Sequence, residues 1–113
     1  MSNCDSGDLE KALEFALESL KMAQKCKNKG SEAIACINVG SVSYKLGKPY
    51  EAIDYLTRGL KICQEIDDRF LEMKSLETLA DAYSVLAYYE KALQCSQRHF
   101  DICLLYTSDA ADE

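Results

Sequence analysis

The sequence predicts an all-α fold, a stack of antiparallel helix hairpins, on three observations. First, Ala12, Ala52 and Ala92 stand forty residues apart in matching surroundings: EKALEFALESL (10–20), YEAIDYLTRGL (50–60) and YEKALQCSQRH (89–99). Second, small residues recur at other fixed phases of the same period, Gly40 with Ala80, and Gly7 with Gly47 and Ala87. Third, one proline and five glycines in 113 residues leave little material for the turns of a sheet. A period of this length is the mark of a helical repeat array, which presents a continuous surface to a partner.

The elements follow in order. From Asp8 to about Lys27, Leu9, Ala12, Leu13, Ala16, Leu17, Leu20 and Ala23 keep the three-and-four spacing of a helix with one apolar face. Asn28, Lys29 and Gly30 end it, with Gly30 suited to a left-handed cap and Ser31 to the N-cap of the next helix. That second helix runs to about Leu46 and is closed by Gly47. Pro49 fits the first turn of a third, where its missing N–H costs nothing, and Ala52, Ile53, Leu56, Leu60 and Ile62 carry it to about Ile66. Asp67 and Asp68 supply negative charge at the start of a fourth helix, about Arg69 to Leu86. A fifth begins near Tyr88. Short connections force successive helices antiparallel, so Gly40 should face Ala52, and Ala80 should face Ala92, where axes about 8–10 Å apart exclude larger groups. Ala87 stands where the preceding hairpin has Gly47. A left-handed alanine costs about 1–2 kcal/mol, so a different turn, tighter or partly helical, is expected there.

Composition narrows the function classes. The chain is 48% hydrophobic and 28% charged, with a formal net charge of −6. That balance suits a globular domain, and the acidity makes nucleic acid and anionic membrane poor partners. No apolar run approaches the roughly 20 residues of a spanning helix. The first ten residues, MSNCDSGDLE, hold neither a basic start nor an apolar stretch, so no secretory signal is expected in them. The six cysteines form no C-x-x-C pair and there is one histidine, so free thiols in a reducing, cytoplasmic setting are expected, with no metal and no cofactor.

The segment AIACINVGSVSYKLGKPYEAIDYLTRGLKICQEID, residues 33–67, resembles the tetratricopeptide repeat through Val39–Gly40, Tyr44, Gly47, Ala52, Leu56 and Leu60. Residues 73–102 are a weaker match through Leu76, Leu79–Ala80, Tyr83, Tyr89 and Ala92, and residues 7–23 resemble a repeat without its first helix. The forty-residue length is similar to the extended repeats of Pins-type G-protein-signalling modulators, kinesin light chains and rapsyn, and CSQRHFDI (95–102) is most similar to the first of these. The resemblance implies a right-handed superhelical stack. Cys36 and Pro49 replace aromatic residues usual in the family, and Gly59 a usual alanine, at about 1 kcal/mol for glycine inside a helix. CLLYTSDAADE (103–113) resembles the translated sequence of a transposon-based sequencing adapter and is set aside from functional reasoning. The organisation expected is a tail (1–7), an incomplete array of two and a half repeats (8–102) and a non-native or disordered tail (103–113). About three repeats are needed for a stable array, so marginal stability or self-association through the open ends is expected. The missing first helix should leave Leu13, Leu17, Ile34 and Ile37 partly uncovered.

No catalytic motif is present: the sequence has no G-x-x-x-x-G-K-[ST], H-E-x-x-H, G-x-S-x-G or G-x-G-x-x-G. The chain is therefore read as a non-enzyme. His99 is assigned to packing, Asp67–Asp68 to capping, and the tyrosines Tyr83, Tyr88 and Tyr89 to the core. The resemblance implies a concave face built from the first helix of each pair. Helical spacing from Gly40 turns Ile34, Ile37, Asn38, Ser41, Tyr44 and Lys45 toward it, with Lys74, Glu77, Thr78, Asp81, Ser84 and Val85 as their counterparts. Asn38 matches a family asparagine that bonds a bound peptide's backbone, and Lys45 a position that can hold a basic residue binding a peptide carboxylate. The partner-binding set is Ile34, Asn38, Ser41, Tyr44, Lys45, Glu77, Thr78 and Asp81, in a scaffold for a protein or peptide partner. The alternatives are a regulatory segment of a larger enzyme or NTPase, and a thiol or metal site.

Overall fold

A computed structural model describes the backbone of residues 6–111 and the side chains of residues 7–105. Its elements are α1 (Ser6–Cys26), α2 (Lys29–Lys45), α3 (Pro49–Glu65), α4 (Arg69–Val85) and α5 (Tyr89–Ala111), with no strand among the described residues. The sequence boundaries of α1 to α4 hold to within about three residues. Cys4, in the expected N-terminal tail, lies outside the described residues. Helix α5 continues through residues 103–111, the stretch read as a tail.

The helices start at residues 29, 49, 69 and 89, so the forty-residue period divides into twenty-residue steps. The backbone shows why. Lys27, Gly47, Asp67 and Ala87 all take positive φ, at 55°, 80°, 61° and 64°. At each, the left-handed residue donates back to a carbonyl three residues earlier, as from Gly47 N–H to Tyr44 O at 3.0 Å and from Ala87 N–H to Ser84 O at 3.0 Å. The next residue donates to a carbonyl five residues earlier, as from Lys48 N–H to Ser43 O and from Tyr88 N–H to Tyr83 O, both at 2.9 Å. This is the Schellman motif, which satisfies the last carbonyls of a helix. The residue completing it also begins the following helix. Asn28 and Asp68, forty apart, turn their side chains to accept from Ser31 N–H and Leu71 N–H, each at 3.1 Å.

Two expectations are corrected here. The turn at Ala87 has the same hydrogen bonds as the other three, with Ala87 itself left-handed. The rings of Tyr83 and Tyr88, the two residues that close this motif, lie 6.2 Å apart and offset the strain with an apolar contact. At the first turn Lys27, not Gly30, is left-handed, and Asn28, not Ser31, is the N-cap, so that Gly30 falls inside α2.

Packing converts this ladder into a stack. Helix α2 touches α1, α3 and α4, and α4 touches α2, α3 and α5; α1 and α3 are not neighbours, nor are α3 and α5. The layer formed by α2 and α4 is therefore the tighter one, the inner layer that the resemblance expects. Gly40 sets the closest crossing. A Cβ built there would lie 2.5 Å from Leu56 Cγ, 2.9 Å from Leu56 Cδ2 and 3.1 Å from Ala52 O. The expected meeting with Ala52 is present, but the wholly buried Leu56 is the nearer group. Gly59 opens a second close approach, since its missing Cβ would stand 3.2 Å from Ile37 Cγ1 and 3.3 Å from Cys36 Cβ. That contact buries Ile37, which corrects its assignment to the uncovered set and to the concave face. Leu13 and Leu17 are half-buried, and Ile34 is exposed. In the second hairpin Ala80 is half-buried on α4, and Ala92 is buried on α5.

One polar group holds three helices together. Glu72, buried in the first turn of α4, accepts from Gln64 Nε2 of α3 at 3.2 Å and pairs with Arg98 Nε of α5 at 3.0 Å. Forty residues earlier stand Gln24, Glu32 and Arg58, the same three types. Arg58 lies instead over the Tyr55 ring, 5.0 Å from its centroid.

Candidate functional site

The inner layer places the sequence-derived residues unequally. Asn38 and Lys45 on α2, and Glu77 and Asp81 on α4, are exposed. Ser41 is half-buried, and Thr78, also half-buried, turns its hydroxyl back to Lys74 O at 3.4 Å. Tyr44 is half-buried against the core cluster of Ala52, Leu56 and Ile37, so it offers only part of its ring. Ile34 sits at the rim, where α2 meets α1. Helices α2 and α4 are adjacent, and each carries exposed polar side chains. Glu77 and Asp81 also border a small hollow of about 160 Å³ between α4 and α5, with Ala80, Ser96 and His99. An amide such as Asn38 can donate and accept at once, which suits an extended peptide backbone.

Other chemistry is weak. His99 is half-buried with Nδ1 3.8 Å from Cys103 Sγ, which itself lies 3.5 Å from Met73 Sδ of α4. Burial pushes the Cys63 thiol up to about 11, against a smaller easing by the neighbouring Ser75 hydroxyl. Burial also raises Cys36, opposed by the nearby Arg58, and raises Cys95. Thiols raised in this way are poor nucleophiles at neutral pH. Among the described residues, no group of three His, Cys, Asp or Glu side chains is placed to hold a metal ion, and no helix is long and apolar enough to cross a membrane.

A tetratricopeptide-repeat family model matches residues 31–104, more than half of the chain. The chain belongs to the tetratricopeptide-repeat family. No individual curated protein matches it. Repeats of this family mediate protein–protein interactions, and the five helices form the corresponding all-α stack among the described residues.

Sequence reasoning missed a second surface. Phe15 and Met22 on α1 are exposed and border, with Ser19, Ile34 and Asn38, a groove of about 560 Å³ between α1 and α2. The signal was legible in the period: Phe15, Ser19 and Met22 align with Tyr55, Gly59 and Ile62. Tyr88 and Tyr89 are also exposed, at 45% and 69%, which corrects their assignment to the core; of that group only Tyr83 is packed against it.

Proposed function

We propose that this tetratricopeptide array is a scaffold that binds an extended segment of a partner protein along the inner layer of α2 and α4, without chemistry of its own. The adjacency of those two helices, with Asn38, Lys45, Glu77 and Asp81 exposed on them, is the observation that supports this reading. Asn38 bonds the partner's backbone, Lys45 meets an acidic group or a terminal carboxylate, and Glu77 with Asp81 favours a basic side chain one step along. Ile34, Ser41, Tyr44 and Thr78 supply contact area around them. The receptor is held by its helices before the partner arrives, so the ordering cost falls on the partner.

The test is a peptide selected from a display library against the whole chain. Its affinity for Asn38→Ala should fall by about 1–3 kcal/mol, and for Lys45→Ala and Asp81→Ala by smaller amounts. Affinity unchanged in all three variants would remove the inner layer as the site.

A further inference from the structure

We propose that the turn joining α1 to α2 is a second docking site, which takes a short carboxylate-rich segment of a partner protein. Residues 21–30 hold Lys21, Lys25, Lys27 and Lys29 and no acid, in a chain of formal net charge −6. All four lysines are exposed, and among the described residues none is in an ion pair or over an aromatic ring. The fold does not require them. Forty residues on, the same Schellman turn is built with Lys61, Glu65, Asp67 and Arg69 at the aligned positions, and with Asp68 where the first turn has the neutral cap Asn28. Lys29 is the first residue of α2, where a positive charge opposes the helix dipole. Four like charges crowded on one turn repel one another, and a row of carboxylates brought up to them relieves that repulsion.

The surface is not a product of the open ends of the array. Helix α3 is packed against both α2 and α4, yet its Lys61 and Glu65 stay exposed, as do Asp67 in the turn and Arg69 on α4. A helix packed before α1 as α2 is packed before α3 leaves the four lysines clear in the same way. They stand at the edge where the chain turns, not on the faces where helices meet. The extent of the patch selects its occupant. Successive helices alternate in direction and α2 and α4 are adjacent, so the turns that precede these two lie at one edge of the stack. The second of those turns, residues 61–70, holds three acids and two bases. A long polyanion, such as a nucleic acid or an anionic membrane, overruns the lysines onto this repelling stretch, whereas a run of about four carboxylates ends before it. The site does not rest on the inner-layer reading, since none of the four lysines belongs to that set.

The probe is a fluorescent peptide of alternating glutamate and aspartate, titrated by anisotropy into the whole chain at low ionic strength. Saturable, micromolar binding that weakens as salt is raised is expected. The substitutions come from the second turn of the chain itself. Lys25→Glu combined with Lys27→Asp should weaken the peptide tenfold or more, and the aligned Glu65 and Asp67 show that such a turn folds with these residues. Thermal melting that is unchanged or raised will confirm that the double variant folds. Lys21→Gln combined with Lys29→Gln should weaken the peptide as well. Lys11→Glu combined with Lys48→Glu makes the same change in net charge away from this turn, at two exposed positions, and should alter the affinity less than threefold. Absence of saturable binding, equal losses in the two charge-reversed variants, or tighter binding of single-stranded oligothymidine or of phosphatidylserine vesicles than of the peptide would each overturn the proposal.

Discussion

At the residue scale, two glycines in facing helices do different work. Gly40 is the point where α2 and α3 come closest, and the groups around it are the branched end of a buried leucine and a backbone carbonyl. Gly40→Ala should destabilise the chain by about 1–3 kcal/mol in urea denaturation, because Leu56 has no free space to move into. Gly59→Ala meets its neighbours at 3.2–3.4 Å, and those few tenths of an ångström offset the gain of about 1 kcal/mol in helix propensity. It should therefore be nearly neutral, and equal losses at the two sites would contradict this account of the crossing. Cys63 gives a pH dependence. Its ordinary value is 9 and burial raises it to about 11 in the folded chain. Below pH 9 both states keep the proton. Between about 9 and 11 the unfolded chain loses it first, so stability falls as pH rises, by roughly 2–3 kcal/mol at the upper end. Denaturation at a series of alkaline pH values should show this slope, and Cys63→Val should flatten it.

At the element scale, the organising device is a Schellman turn that hands over to an N-cap in a single residue. Its repetition at Lys27, Gly47, Asp67 and Ala87 fixes each helix-plus-turn at twenty residues, so each hairpin repeats the orientation of the last. Only one of the four left-handed positions is glycine. The other three accept local strain because the helices on either side are fixed by packing, and at Ala87 the Tyr83–Tyr88 contact adds to this. Ala87→Gly should relieve the strain and stabilise the chain by about 1 kcal/mol, net of the greater freedom glycine has when unfolded. A loss of stability in that variant, read from the denaturation midpoint at unchanged slope, would mean that the turn is not strained in solution.

At the scale of the whole molecule, the ends differ. At the α1 end a groove bordered by Phe15 and Met22 lies between α1 and α2, whereas the open side of α5 is a stripe of large apolar residues at helical spacing. Forty residues before Leu93 and Phe100 stand Ile53 and Leu60, both half-buried against the core. An uncovered stripe of this kind drives association. We expect the isolated chain to self-associate through α5, with a light-scattering mass that rises with concentration and drops in the double variant Leu93→Ser, Phe100→Ser. A concentration-independent monomer that melts cooperatively well above about 60 °C would contradict both the association and the marginal stability expected of so short an array.

Sequence alone determined the period, the five helices, their order and the meeting of Gly40 with Ala52 at one crossing. Each of these depends on spacing along the chain, which side-chain size and helical geometry translate directly. It also selected the polar residues of the inner layer, but not which of them stand clear of the packing. Tyr44 is drawn half into the core by neighbours distant in sequence, and Thr78 turns its hydroxyl back onto its own helix at Lys74. Tertiary structure decided the left-handed alanine, the burial of Ile37 against Gly59 and the open groove beside Phe15 and Met22. These depend on how closely one helix approaches another. A helix that is covered and one that is open can carry the same apolar pattern, and only the position of the next helix distinguishes them.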